Sequence, residues 1–218
     1  MMATRPNQGA PERTTGASTA SVPAVGDPRR GGSGTKARII DAAEEVVLRE
    51  GVAHLTLDAA AAEAGLSKGG VLYHFPTRDA LVAGMVDKII GEFDRDIEAR
   101  QADRGAPGSF TRAYIRATMS PISSTPERQD RLGAALIAAA AAEPELLAPL
   151  QAAAGRWQRS LESDGLDPTV ATVLRLACDG LWLCDLFGLA PPSAALRASL
   201  RDQLDVIVSQ ALTEATER

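Results

Sequence analysis

Lys68, Tyr73, His74 and Arg78 stand close together, and no acid interrupts them: from Gly65 to Arg78 there are two cations, a histidine and not one carboxylate. An ammonium, a phenol, an imidazole and a guanidinium are all donors, suited to phosphate oxygens and base edges. Gly69 and Gly70 leave the backbone among them bare, so that its amides can approach such groups closely. Thr56 and Lys36 add a hydroxyl and a further cation upstream. Tyr73 is either part of this donor set or an aromatic packing on the first helix.

Bond-making chemistry is poorly served by comparison. The chain has two histidines, His54 and His74, and two cysteines, with no paired Cys/His metal spacing, Gly-rich phosphate loop or nucleophile elbow. His54 reads as a loop residue. No catalytic residue, metal or cofactor is expected, and the chain is not read as an enzyme.

A second group belongs to the later part of the chain. Cys178, Trp182 and Asp185 share one face of a helix, with Asp179 adjacent. Phe93, Tyr114, Met119 and Trp157 could complete a mostly apolar cavity with an acidic group or two, favouring a cationic or hydrogen-bonding small molecule. The other reading is plain core, with Asp179 paired to Arg175 one turn earlier.

The donors need a scaffold, and the flanking residues specify one. Thr56 is an N-cap with Asp58 in the first turn, where the helix dipole favours a carboxylate. Alanines 60, 61 and 64 allow a second helix to cross closely. Gly65 supplies the left-handed residue that ends the helix, and Ser67 caps the next. Leu66 and Val71 then face a shared core. This is the residue grammar of a helix-turn-helix.

Ile39/Ile40, Ala43 and Val46/Val47 repeat at helical spacing before it, and Gly51 stops that first helix. Pro76 breaks the second helix of the motif and Thr77 caps a long one, with Val82, Met85, Val86, Ile89, Ile90, Phe93 and Ile97 as its stripe. Five more helices are expected at about 108–120, 127–142, 144–163, 168–187 and 193–214, divided by Gly/Pro signals. Strand-like alternation is nearly absent, so the fold class is all-α with about nine helices. Residues 1–34, rich in Gly, Pro, Ser and Thr, read as a flexible tail. Arg29 and Arg30 at its end either brush DNA or are simply solvated.

Residues 36 to 81 resemble the DNA-binding domain of TetR-type transcriptional regulators. The resemblance is carried by Ala37-Arg-Ile-Ile-Asp-Ala-Ala43, Gly51, Leu55-Thr56-Leu57, Ala60-Ala61, Ala64-Gly65-Leu66-Ser67-Lys68-Gly69, Tyr73-His74-Phe75 and Thr77-Arg78-Asp79-Ala80-Leu81. Two positions depart from it. Leu72 stands where many members carry an aromatic, and Gly70 where a Thr or bulkier residue is common, so base readout rests on fewer side chains.

The resemblance implies a three-part layout: the tail (1–34), a helix-turn-helix DNA-binding domain (35–80) and a helical ligand-binding and dimerisation domain (81–218). It further implies a homodimer through the last two helices, a double-stranded DNA operator, and a small-molecule effector that moves the reading heads. Repression is likewise the family's usual mode. Periodicity points independently to the same two helices. Val170 to Phe187 is apolar almost all round, and Leu196, Leu200, Leu204, Ile207 and Ala211 form a stripe on the last helix. Either these meet their copies in a four-helix interface, or they form the centre of a monomer. A dimeric adaptor whose first domain binds protein is the alternative function, and the acid-free 65–78 segment argues against it.

Net charge is −5, divided as +2 over 1–34, −2 over 35–80 and −5 over 81–218. A bulk polycation is thereby excluded, and DNA affinity has to come from a few well-placed cations. Asp41, Glu44, Glu45 and Glu50 are expected on faces of the first helix turned away from phosphate. No export signal or spanning segment is evident, and Cys178 and Cys184, six apart on one helix, face different ways as unbridged thiols. The expected compartment is the cytoplasm.

Overall fold

The computed structural model describes residues 28–119, 128–140 and 142–217 of the 218-residue chain. Among these there are nine α-helices and no strand: α1 (Pro28–Glu50), α2 (Leu57–Ala64), α3 (Lys68–His74), α4 (Arg78–Arg100), α5 (Ser109–Thr118), α6 (Arg128–Ala140), α7 (Ala148–Glu162), α8 (Pro168–Phe187) and α9 (Ala194–Thr216). Short 3-10 turns at Val52–His54 and Pro144–Leu147 lead into α2 and α7. The all-α expectation therefore holds. One boundary differs, because α1 begins at Pro28, inside the span read as tail. Pro at a helix start costs no hydrogen bond, so the Gly-rich stretch after it is carried as an N-terminal extension. Residues 1–27 and the side chains of Arg29 and Arg30 lie outside the described residues.

Local chemistry sets the helix ends. Thr56, Ser67, Thr77, Asp167 and Ser193 each accept a backbone N–H from the first turn of the helix they precede. Pro168 occupies the opening turn of α8, where its missing N–H has no partner to lose.

Two apolar clusters hold the helices together. One gathers Ile39, Ala43 and Val46 of α1, Ala60 and Ala61 of α2, Val71 of α3 and Leu81, Val82 and Met85 of α4. It continues without a break into Leu132, Leu136 and Ala140 of α6 and Ala153 of α7. Ala60 and Ala61 of α2 are buried, and α2 packs closely against α1 and α3. The second cluster joins Ile97 of α4, Tyr114 and Ile115 of α5, Leu161 of α7, Leu174, Cys178 and Leu181 of α8 and Val208 of α9. Helix α4 belongs to both, so one rigid rod ties the two together. No helix among the described residues is long and apolar enough to cross a membrane.

Candidate nucleic-acid interface and internal cavity

Thr56 Oγ1 accepts from the Ala59 amide at 3.0 Å, fixing the start of α2. Gly65 follows α2 with φ at +63°, the left-handed conformation that turns the chain toward α3. Ser67 Oγ then accepts from the Gly70 amide at 3.2 Å. Val71 and Phe75 turn inward, leaving Lys68, Gly69, Leu72 and Tyr73 on the outer side. Tyr73 is 85% exposed, so it is not the core aromatic that the sequence left open. Its ring meets that of half-buried His74 edge to face at 5.0 Å.

The glycines carry information through what they do not touch. A Cβ at Gly69 would meet nothing within 4 Å, and one at Gly70 only Ser67 Oγ at 3.5 Å. No packing within the subunit requires either glycine. The space they leave open is on the outside of α3. Lys36 Nζ stands 5.5 Å from the centroid of the Phe75 ring, a cation–π contact linking α1 to the end of α3.

The charges divide into mobile and committed ones. Lys68 Nζ is 2.8 Å from Asp58 Oδ2, both largely exposed. Such a pair is worth about 0–1 kcal/mol, so a phosphate can displace it readily. Arg78 differs from the expectation of an outward-facing donor. Its Nη1 lies 2.7 Å from Glu143 Oε2 and its Nη2 donates to the Val52 carbonyl at 3.3 Å. The hydrogen bond to Glu143 holds its guanidinium above the ordinary pKa, against a smaller opposing effect of burial. Arg78 thus braces the helix-turn-helix against the turn before α7.

Of the acids of α1, Glu44 is buried, while Asp41, Glu45 and Glu50 are exposed and ion-paired. Glu44 is 4% exposed and is gripped by Lys88 of α4 and Arg128 of α6. Asp41 shares Lys88 at 2.7 Å, Glu45 shares Arg128, and Glu50 pairs with Arg49. Burial disfavours the charge on Lys88, but its bonds to Asp41 and Glu44 outweigh that and raise its pKa.

Below this head, α4, α5, α6, α7 and α8 line a partly open cavity of about 690 Å³. Six of the eight residues expected around a pocket line it: Phe93, Tyr114, Trp157, Asp179, Trp182 and Asp185. Met119 and Cys178 do not; both are buried in the second cluster, behind the wall. Phe93 meets Trp157 and Tyr114 edge to face at 5.0 and 5.5 Å. The Tyr114 hydroxyl donates to Asp179 Oδ1 at 2.7 Å, while Arg175 Nη1 donates to Oδ2 at 2.7 Å. Asp179 thus lines the cavity and is at the same time paired with Arg175 one turn earlier. Asp185 receives the buried guanidinium of Arg197 from α9.

Two family models match the chain: "Bacterial regulatory proteins, tetR family" over residues 39–85, and "Tetracyclin repressor-like, C-terminal domain" over residues 108–208. The chain belongs to the TetR family. It is accordingly a DNA-binding transcription regulator and not an enzyme. A TetR-family member from Streptomyces coelicolor A3 is 28% identical with a TM-score of 0.61, covering 78% of this chain and 97% of that one. The multidrug binding protein EbrR, in its complex with ethidium, is 27% identical with a TM-score of 0.59, covering 79% and 98%. A transcriptional regulator from Rhodococcus sp. Rha1, at 23% identity and a TM-score of 0.60 over 82% and 96%, shares the fold. No curated protein sequence matches significantly.

Beyond the head and the cavity, this TetR-family chain has an apolar outer face. Val173, Leu176, Leu183 and Phe187 of α8, Leu189 after it, and Leu196, Leu200 and Val206 of α9 are all exposed. With Gly180, the α8 residues fall at alternating steps of three and four. Sequence reasoning missed several wall residues: Glu92, Asp96 and Arg100 of α4 and Asp130 of α6. The first three repeat at four-residue spacing beside the α4 stripe, a signal that was present. Nothing in the sequence links Arg78 to Glu143, 65 positions away.

Proposed function

We propose that two copies of this chain bind a palindromic operator as a repressor and are released by a small molecule held in the cavity. One relationship carries the reading. Helix α4 contributes Leu81, Val82 and Met85 to the core of the helix-turn-helix and Ile89, Phe93 and Asp96 to the cavity wall. A ligand that tilts this rod moves the donor face of α3. To shift the equilibrium it must bind one head spacing more tightly than the other.

The reading gives Lys68, Tyr73, His74, Thr56 and Lys36 as DNA-contacting groups, with Gly69 and Gly70 admitting the backbone. Arg78 acts chiefly as a brace behind them. One seven-residue recognition helix reaches too few bases for useful specificity, and a dimer reads two half-sites about 34–36 Å apart. The exposed apolar face of α8 and α9 supports a second copy docking there. EbrR, described as a multidrug binding protein, supports a small-molecule effector. A regulator of this kind works in the cytoplasm, where the chromosome is.

Selection of bound duplexes from a random pool tests the proposal. Recovery of a palindrome, bound by two subunits with an affinity that falls as salt rises, is the expected result. Indifference to every duplex at low ionic strength would overturn it and favour an adaptor that binds protein.

A further inference from the structure

We propose that Leu72 reads the methyl group of a thymine in each half-site, so that one base of the operator is selected by an apolar contact and not by a hydrogen bond. The inference rests on the regulator reading and adds to it a base and the side chain that selects it.

The exposed apolar side chains of the subunit are not scattered. Among the described residues, the large ones lie on α8, α9 or the link between them, with two exceptions: Leu72 and Tyr73, adjacent on α3. Leu72 is 40% exposed and belongs to neither of the two apolar clusters, whereas Val71 beside it is fully buried. No packing within the head accounts for a leucine at this place.

Helix geometry puts Leu72 at the middle of the donor face. At about 3.6 residues per turn, with Val71 and Phe75 turned inward, the outer arc runs in the order Lys68, Leu72, Gly69, Tyr73. Leu72 and Gly69 therefore stand between an ammonium on one flank and a phenol on the other. The flanking donors suit phosphate oxygens, which fix register but carry no sequence information. What lies between them faces the base edges. A Cβ at Gly69 would meet nothing within 4 Å, so no side chain there holds α3 away from the groove floor, and Leu72 can reach it.

Leucine has neither donor nor acceptor and is blind to the hydrogen-bonding pattern of a base. In the major groove the apolar feature is the C5-methyl of thymine. Against a purine, or the amino group of cytosine, the same side chain covers polar atoms without satisfying them. Selection thus has an attractive part and a repulsive one.

The test pairs changes in protein and DNA. In the palindrome recovered from the random pool, thymine is replaced by uracil at each position in turn, symmetrically in both half-sites, so that only methyl groups are lost. With the full-length chain, one position is expected at which uracil weakens binding about tenfold, the effect of two buried methyls. Leu72→Ala should bind the thymine duplex more weakly, by about tenfold or more, and no longer distinguish thymine from uracil there. At the same position 5-methylcytosine should bind the unaltered protein better than cytosine does. Leu72→Ala is expected to melt like the parent chain, because alanine favours a helix and neither cluster loses a member. Its salt slope should be unchanged, since no phosphate contact is removed. The uracil scan of the unaltered protein stands by itself should the variant fail to fold. A scan without effect at any position, or a uracil effect that persists in full in Leu72→Ala, would overturn the inference and leave operator binding intact. Recovery of no duplex at all would sink the regulator reading, and this inference with it.

Discussion

Arg78 Nη1 stands 2.7 Å from Glu143 Oε2, joining the first turn of α4 to the turn that introduces α7. The same guanidinium reaches the Val52 carbonyl, so one side chain fastens three segments that are far apart in sequence. Lys68, by contrast, pairs with the largely exposed Asp58 of α2.

This contrast separates two cations of one segment. Lys68→Ala is expected to weaken operator binding across sequences and to reduce its salt slope by about one unit. Arg78→Ala should leave the slope nearly unchanged and lower stability by about 1 kcal/mol, the upper range for a half-exposed pair. Titrations of a bound duplex at several salt concentrations, with urea melts of the free protein, distinguish the two. Equal slope losses would place Arg78 on the phosphates.

Gly69 predicts opposite effects on stability and on binding. A Cβ there meets no neighbour, so Gly69→Ala should stabilise α3 by up to about 1 kcal/mol through reduced freedom of the unfolded chain. A long side chain, as in Gly69→Met, should fold equally well and lose most operator affinity. Thermal melts and duplex titrations check the pair; unchanged affinity in Gly69→Met would mean that DNA does not approach this face.

Glu44 and Glu45 share Arg128 but differ in burial. Glu44 is 4% exposed and also holds Lys88, whereas Glu45 is exposed. Glu44→Ala leaves cations of two helices facing an emptied site, at an expected cost of about 3 kcal/mol. Glu45→Ala should cost less than about 1 kcal/mol. Urea denaturation of both variants measures the difference, and equal small losses would show that the buried carboxylate is not needed to join α1, α4 and α6.

What the sequence could reveal follows from how far each signal reaches. Caps such as Thr56, Ser67 and Thr77 act within three residues, and the stripe of α4 repeats within one helix, so nearly every helix end is legible from neighbours alone. The outward placement of Tyr73 and the inward placement of Val71 follow from the same local periodicity. The partner of Arg78 and the burial of Glu44 depend on where α6 and the turn after it fold back, which no local pattern encodes. Cys178 shares a helix face with the wall residues Trp182 and Asp185 yet lies in the core, and Met119, the C-cap of α5, is buried in the same cluster. A helix face spans both core and rim, and periodicity alone does not divide them. The shift of the α1 start to Pro28 has the same origin: Gly-rich composition argues for a tail, while the extension continues an already nucleated helix.

Alkaline pH should loosen the second cluster. The folded chain holds the Cys178 proton up to about 12, against an ordinary thiol value of 9.0, and raises Tyr114 in the same direction, burial being the first cause in both. A raised folded-state pKa contributes stability in full below the unfolded value and loses it as pH climbs toward the folded one. The melting temperature is therefore expected to fall from pH 9 upward on account of these two groups, and Tyr114→Phe should flatten part of that fall. In the native state at pH 8, a thiol reagent should modify half-buried Cys184 well before buried Cys178. Equal reaction rates would contradict the burial assigned to Cys178.

The outer face of α8 makes the last prediction. Val173, Leu176, Gly180, Leu183 and Phe187 alternate at three- and four-residue steps, the spacing of a seam between paired helices, and all five are exposed in the single subunit. At Gly180 a Cβ would meet nothing within its own subunit, so the missing side chain leaves room for a neighbour. Leu176→Arg places a charge in the seam, and Gly180→Leu fills the room at its middle. Neither touches the buried side of α8, formed by Ala171, Leu174, Cys178 and Leu181. Both variants are expected to fold with unchanged helicity, to sediment as single subunits at micromolar concentration, and to lose operator affinity by at least a hundredfold, because each subunit then reads its half-site alone. Were the two variants to remain dimeric, the second copy would have to dock elsewhere, and α9 with Leu196 and Leu200 would be the next face to alter.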